Sequence, residues 1–449
     1  MTNVQLRKEC ILAVDSGSTN LKAALIDYDG IVLTKTSVRT PGIRNHLYAE
    51  GAAEALYQAF NEAVRGVLSE EYQVKAICIS SQMNSLLLVD ENNRPLTAMI
   101  YGIDTRGEEF IEPLTELISR EKIYENTSCP LNGIYWPGKL LWIKKYFPEI
   151  MSKTRYIMDA KTYLLYCLTG ERVIDCASAS TTQLYCQQSG QWWREMLKVL
   201  DVSEEMLPEV KKPYELAGML REETANFWSI DAVPVLVGSG DGPAANISTG
   251  AVLKGDCCIS LGTTAVLRYL TDTSHTPADN FFSQHLEGNI YLQGVRINEG
   301  GDSAEKYIEL AGGVEGQTEG CVFKNEVFYP HAPSENGGKM TAALNGVMFQ
   351  IYDKARILIK QKKIKRIFVT GGSTVNKRYM QRIANLFGLP VLILENGEAF
   401  AGLAALVLVY EKKASQLYEA ISQLSLKQEI FLPENDISLK QEWEIYKNL

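Results

Sequence analysis

Residues Ile11–Asp27 read ILAVDSGSTNLKAALID, two apolar runs held apart by Asp15-Ser16-Gly17-Ser18-Thr19. Ile11–Val14 is long enough for one strand and Leu21–Asp27 for a second. The second turns at Tyr28-Asp29-Gly30 into Ile31-Val32-Leu33, so the segment reads as a β-meander with a small-residue hairpin. A helical pattern follows from about Ala52 to Ser69, then a buried strand at Lys75–Ser80, then Ser85–Val89 and an Asp90–Asn93 turn. The order to this point is βββαβ. Helical patterns dominate from there to about Leu200, among them Lys139–Tyr146 and Ala160–Leu168, the latter stopped by Thr169-Gly170.

The second half opens as the first does. Val233–Val237 is an apolar strand that breaks into Gly238-Ser239-Gly240-Asp241-Gly242, and Pro243 suits the first turn of a new helix. A boundary here divides the chain into 1–242 and 243–449. Asp256–Leu261 then runs into Gly262-Thr263-Thr264, with Ala265–Leu270 as its hairpin partner. Aligning Gly17 with Gly262 superposes Gly-Ser-Thr on Gly-Thr-Thr, each between apolar strands. The same register predicts a βββαβα layout for each half. The second closes with helix Leu344–Gln361, strand Arg366–Val369, Gly371-Gly372, helix Lys377–Phe387, strand Pro390–Ile393 and helix Ala399–Tyr410. The fold class is therefore α/β in two like-built domains.

Composition bounds what such a molecule does. Of 449 residues 46% are hydrophobic and 22% charged, ordinary for a folded protein, and the length suits two domains. The formal charge of −9, without a basic stripe, argues against nucleic acid as a partner. Nine Cys without a C-x-x-C pair read as reduced thiols, and four scattered His leave little material for a zinc site or a Ser/His/Asp triad. The polar N-terminus and the short apolar run Phe400–Tyr410 give no signal core and no membrane span, which needs about 18 residues. The expectation is a cytoplasmic protein with no membrane partner.

Three loops carry candidate chemistry. A tight Gly-Ser-Thr or Gly-Thr-Thr turn aims several backbone N–H groups at one spot, an anion nest that needs no Lys or Arg. For each loop alone a plain turn is the simpler reading, and two matched copies weigh against it. Gly371-Gly372-Ser373, between a strand and a helix start, is a third point where backbone approaches a ligand closely. Asp15 ends the first strand, where it would hold a metal ion through water or cap local N–H groups. Asp241 is the one ionisable group in its glycine-rich strand end, and Asp-Gly is also a common turn pair. Gly133–Lys139 matches G-x-x-x-x-G-K, but Leu140 stands where a P-loop has Ser or Thr and no strand precedes it, so it is set aside.

Taken together, Ile11–Asp27, Gln82–Arg106 (QMNSLLLVDENNRPLTAMIYGIDTR), Asp241–Leu270 (DGPAANISTGAVLKGDCCISLGTTAVLRYL) and Val369–Gly388 (VTGGSTVNKRYMQRIANLFG) resemble the FGGY carbohydrate kinases, in this order and nearly end to end. The family belongs to the actin-like ATPase superfamily. The resemblance implies two actin-like, ribonuclease H-like domains facing a cleft, and a phosphoryl transfer from ATP with Mg²⁺ to a small-molecule sugar or sugar acid. It implies that Asp15, with Asp241, serves the Mg²⁺, and that Gly17, Ser18, Thr19 and Lys22 lie near the transferred group. Gly262, Thr263 and Thr264 would form the second phosphate loop, while Gly371, Gly372, Ser373 and Asn376 line the nucleotide. Asp241 would be the catalytic base, and Gln82, Met83, Asn84, Asp104, Tyr135 and Asp241 would face the sugar. A homodimer is the common assembly of such enzymes.

Within the family the pattern is most like the gluconate kinases, in Asp241-Gly242, Ala245-Asn246, Ala265-Val266-Leu267-Arg268, Ser85 and Ala177–Ser180. An aldonate is the first expected substrate and a pentulose or hexulose the second. A catalytically weak sugar or nucleotide sensor and an actin-like filament or chaperone ATPase are readings from other classes. The chain also departs from the family. Met83-Asn84 replaces the usual Met-His, Asn132-Gly133 replaces His-Pro, and Gly102-Ile103 replaces Trp-Asn or Trp-Ala, which opens space for a bulkier ligand or for a neighbour that refills it. The stretch from Pro330 to Leu344 is short, and Asn345 stands at a usual Glu.

Overall fold

A computed structural model describes residues 7–45, 48–261, 265–297, 321–324, 327–330, 339–361, 363–394 and 399–449. The chain forms two compact units, each assembled from separate segments. Unit 1 comprises Met1–Ser248, Asp272–Leu292 and Glu398–Ser425; unit 2 comprises Thr249–Thr271, Gln293–Gly397 and Leu426–Leu449.

The sheet of unit 1 is built from β1 (Lys8–Ser16), β2 (Asn20–Ile26), β3 (Val32–Arg39), β4 (Tyr72–Ser81), β5 (Leu216–Met219), β6 (Pro234–Leu236) and β7 (Ser239–Gly240). Its order is β5-β6-β4-β1-β2-β3, with β7 beside β4. β1 and β2 are antiparallel, whereas β4, β6 and β7 run parallel to their neighbours β1 and β4. Cys10–Val14 is fully buried, as expected of a strand covered on both faces. Helix α1 (Ala53–Arg65) buries Leu56, Phe60, Ala63 and Val64, a stripe at helical spacing laid on β2 and β3.

Unit 2 repeats the scheme with β8 (Asp256–Leu261), β9 (Ala265–Thr271), β10 (Arg366–Thr370), β11 (Val391–Leu394) and β12 (Gln428–Phe431), ordered β9-β8-β10-β11-β12, and the same sheet continues beyond β9 through Ile290–Ile297 to an edge strand, Phe282–Glu287. β8 is antiparallel to β9 and parallel to β10, and β10 is parallel to β11. The central hairpin and its parallel neighbour are thus the same in both units. This is the ribonuclease H-like pairing that the resemblance implies, and it is present in each.

Three features depart from a plain reading of the sequence. β3 continues to Arg39, beyond the Ile31–Leu33 expected, and its exposed, alternating pattern is that of a sheet edge. The helix Phe400–Tyr410, read as the close of the second half, belongs to unit 1, where it packs on Asp241–Ser248 and on β1 and β4. Being apolar all round, it is buried all round, and that composition does not tell which sheet it covers. A C-terminal helix, Ile437–Asn448, went unpredicted and packs in unit 2 on α2 (Lys339–Lys360) and α3 (Lys377–Phe387). That helix also reaches Asn345. The Asn345 amide donates to Glu442 Oε2 at 2.8 Å and its oxygen accepts from Arg382 Nε at 3.1 Å, while Glu442 itself pairs with Arg382 at 2.9 Å. The carboxylate facing Arg382 comes from Glu442, on a later helix. Most of the shortened stretch after Pro330 lies outside the described residues.

Candidate functional site

Strand register brings the chemistry of unit 1 to one edge. Asp15 pairs with Ser80 across β1/β4, and Ser80 with Ser239 across β4/β7, so three parallel strands end level with one another. Ser80 Oγ donates to Asp15 Oδ1 at 2.7 Å, which fixes the half-buried carboxylate. Two residues beyond Ser239, Asp241 opens the helix Asp241–Ser248 and is exposed, with Oδ1 accepting from the Gly242 N–H at 2.8 Å.

The first hairpin loop is tied down beside Asp15. Thr40 Oγ1 donates to the Gly17 carbonyl at 2.8 Å, the Thr40 N–H to that of Thr19 at 3.0 Å, and Arg44 reaches Thr19 Oγ1 at 3.3 Å. A Cβ on Gly17 would lie 2.9 Å from the Asn20 carbonyl, so the turn has no room for a side chain. Ser18 sits in this turn, and Lys22 lies on β2 directly across from Asp15.

Gln82 follows β4 and donates its backbone N–H to the Ser16 carbonyl at 2.9 Å. Its side chain is 4% exposed, and neither amide atom has a hydrogen-bond partner among the described residues. The same holds for Asn84 Oδ1 and Ser239 Oγ. Buried polar atoms are seldom left so. Met83 lies against β7: a Cβ on Gly240 would meet its Sδ at 2.5 Å and its Cγ at 2.7 Å. Asn84 takes a left-handed φ of 64°, a conformation Asn tolerates better than most residues.

Below these residues lies a charged support. Asp104 is fully buried, accepting from the Arg106 N–H at 3.0 Å, Arg106 Nε at 2.8 Å and the Ala49 N–H at 2.7 Å. Arg106 also pairs with Glu50 and lies over the rings of Tyr48 and Trp142, 4.9 Å from each centroid. Asp104 is thereby engaged inside the protein. Lys139, in the rejected P-loop match, is wholly buried and donates to the carbonyls of Asn84 at 2.9 Å and Tyr101 at 3.0 Å. Burial pushes its ammonium down to about 7, with Asp104 opposing and Arg106 assisting. Tyr135 is buried at the start of the same helix, Trp136–Tyr146. The space expected from Gly102 is refilled by main chain: any Cβ there would collide with the Met83 carbonyl.

In unit 2, Gly262, Thr263 and Thr264 fall outside the described residues. Gly371 has φ 106°, and a Cβ on it would strike the Leu261 carbonyl, so only glycine serves. Gly372 faces open space, Ser373 lies in the one-turn helix Gly372–Val375, and Asn376 caps α3 by accepting from the Tyr379 N–H at 3.0 Å.

Burial pushes the Cys10, Cys78 and Cys129 thiols up to about 12, which leaves these three protonated and unreactive at neutral pH. No group of three or more His, Cys, Asp or Glu suited to a metal occurs among the described residues, and no described helix is long and apolar enough to cross a membrane. A Mg²⁺ ion asks for less, one or two carboxylates with the rest from water and phosphate, and Asp15 and Asp241 at one sheet edge fit that demand.

Two units of ribonuclease H-like order, one with carboxylates at its strand ends, are the actin-like architecture of phosphoryl-transfer proteins. The chain belongs to the FGGY family of carbohydrate kinases: the family's N-terminal domain profile matches residues 10–248 and its C-terminal domain profile residues 323–410. It is a phosphotransferase with an alcohol group as acceptor. It is 25% identical to a gluconokinase of Bacillus subtilis, over 92% of this chain and 90% of that protein. It is 26% identical to a xylulose kinase of Lactococcus lactis, over 98% and 96%. In fold it is similar to Plasmodium falciparum glycerol kinase solved with ADP, at a TM-score of 0.88, 19% identity and coverage of 98% of this chain and 97% of that one.

Proposed function

We propose that the chain transfers the γ-phosphoryl group of MgATP to a hydroxyl of a small sugar held by unit 1, with Asp241 as general base. The carrying observation is the level ending of β1, β4 and β7, which brings Asp15 and Asp241 to one edge beside the unpartnered amide of Gln82. Asp241 takes the proton of the attacking hydroxyl. Asp15, steadied by Ser80, holds the Mg²⁺ of the nucleotide, and the N–H groups of Gly17, Ser18 and Thr19 with Lys22 receive the phosphates. Bound Mg²⁺ would supply neutralisation of charge on the phosphoryl oxygens. Gly371, Gly372 and Ser373, with Asn376 behind them, line the nucleotide, and Gly262, Thr263 and Thr264 form the second phosphate loop. On this reading residues 1–242 serve the sugar and the first phosphate loop and residues 243–449 the nucleotide.

The polar lining favours a neutral polyhydroxyl substrate. The unpartnered buried atoms here are amide and hydroxyl atoms of Gln82, Asn84 and Ser239, while Arg106 is spent on Asp104 and Glu50 and Lys139 on two carbonyls. A ketose or polyol matches such a set better than a carboxylate does. The aldonate reading keeps the support of the gluconate kinase-like residues around Asp241 and Ala265–Arg268. ADP release against a panel of aldonates, ketoses and polyols tests both. Turnover confined to one sugar class identifies it, basal hydrolysis alone marks an ATPase, and binding without turnover marks a sensor.

A further inference from the structure

Gln284 stands in the strand Phe282–Glu287, about 200 residues after Gln82, Met83 and Asn84 and outside every motif the sequence offered. Unit 1 nonetheless includes it, through the segment Asp272–Leu292. The side chain is 5% exposed; its Nε2 lies 3.7 Å from Met83 Sδ, a weak acceptor, and its Oε1 has no partner among the described residues. Met83 in turn lies against Gly240, one residue before Asp241. Gln284 thus touches Met83, and Gln82 precedes Met83 in the chain; of the four polar heavy atoms of the two amides, three have no partner among the described residues.

The backbone around Gln284 is fixed. The Ser283 N–H donates to the Ser128 carbonyl at 2.9 Å, and the His285 N–H to Ser180 Oγ at 3.0 Å. Gln187 Nε2 donates to the Ser283 carbonyl, and Cys176 Sγ to that of Leu286. Such anchoring on both sides suits a group that orients a ligand, because the side chain gives up little freedom on binding.

We propose that Gln284 is a specificity-determining residue that hydrogen-bonds a hydroxyl of the acceptor sugar, with Met83 as the apolar floor between it and Gln82. This rests on the kinase reading above. The amide both donates and accepts, as a sugar hydroxyl does, so a neutral polyhydroxyl chain satisfies Gln284 and Gln82 together.

The test compares wild type with Gln284→Leu, similar in size and without hydrogen-bonding atoms, on the best substrate of the panel and its monodeoxy analogues. Sugar binding is read separately, from the sugar-induced shift in Tm of the full chain. The expected result is a rise in KM of about tenfold with kcat little changed, the scale of one neutral hydrogen bond. One deoxy analogue should lose about tenfold on wild type and nothing further on Gln284→Leu. The proposal is overturned if every analogue loses as much on the variant as on wild type, or if the sugar-induced Tm shift of Gln284→Leu equals that of wild type. A wild type that binds sugar without turning it over defeats the kinase reading alone, since the Tm shift still decides on Gln284. A Tm loss in the variant without sugar, with unchanged KM, assigns Gln284 a packing role and overturns the proposal.

Discussion

The two central hairpins share a frame and differ at the points that matter. In unit 1 Asp15 pairs with Ser80 one position before the ladder ends at Ser16 and Ser81, and the chain leaves β4 into Gln82. In unit 2 the matching pair is Ser260 with Thr370, and the chain leaves β10 through Gly371 and Gly372. Where Asp15 accepts from Ser80 Oγ, Ser260 Oγ accepts from Arg268 at 2.9 Å. One copy ends in a carboxylate and an amide, the other in bare backbone. On the proposed function a single topology would serve two tasks by changing the residues just past the strand ends, without changing the strands.

The largest break in that contrast is Asp241→Asn. Turnover should fall by about 10²- to 10⁴-fold with KM nearly constant, the usual scale for a positioned base, and near wild-type kcat would remove Asp241 from that role. Next come the glycines of unit 2. Gly371→Ala should cost about 1–3 kcal/mol of stability, through its positive φ and the Leu261 carbonyl, while Gly372→Ala should cost far less. Denaturation midpoints of the pair compare them directly, and equal losses would contradict the close approach at Gly371. Ser80→Ala should lower kcat/KM by about two- to tenfold by loosening Asp15, and Thr370→Val, at the matching place, should leave it within about twofold.

The smallest effect is a pH dependence confined to unit 1. The folded pKa of Lys139, about 7, lies below its unfolded value, so the folded state releases this proton first. The cost of burying the ammonium is fully present below about pH 7 and is relieved as pH rises through 7 toward the unfolded value. Urea midpoints should therefore climb between pH 6.5 and 8.5 in wild type, and this component should vanish in Lys139→Met.

The frame was legible because apolar runs of strand length, broken by Gly, Ser and Thr, recur at matched positions in the two halves. Asp15 and Asp241 were legible because a carboxylate at the end of an apolar strand stands out. Gln284 was not, although a polar residue at a buried place in a strand is a trace that Phe282-Ser283-Gln284-His285-Leu286 does carry. Its meaning depends on Met83 and Gln82, and no local pattern links positions 200 apart. Asp104, expected from the resemblance to face the sugar, also accepts hydrogen bonds from Arg106 and the Ala49 N–H, partners that no spacing announces. Lys139 was dismissed correctly as a P-loop lysine, and its work on two carbonyls could not be read from spacing.

The helix Phe400–Tyr410 packs against the helix that starts at Asp241, with Gly402 so close that a Cβ would lie 2.6 Å from the Ala244 carbonyl and its N–H bonded to Ser248 Oγ at 2.8 Å. During synthesis the segment bearing Asp241 therefore emerges more than 150 residues ahead of the helix that packs on it. A nascent chain short of residue 400 carries Asp15, Gln82 and Asp241 but leaves Ala244 and Ile247 without that cover. Assembly of the first unit must wait for nearly the whole of the second to be made.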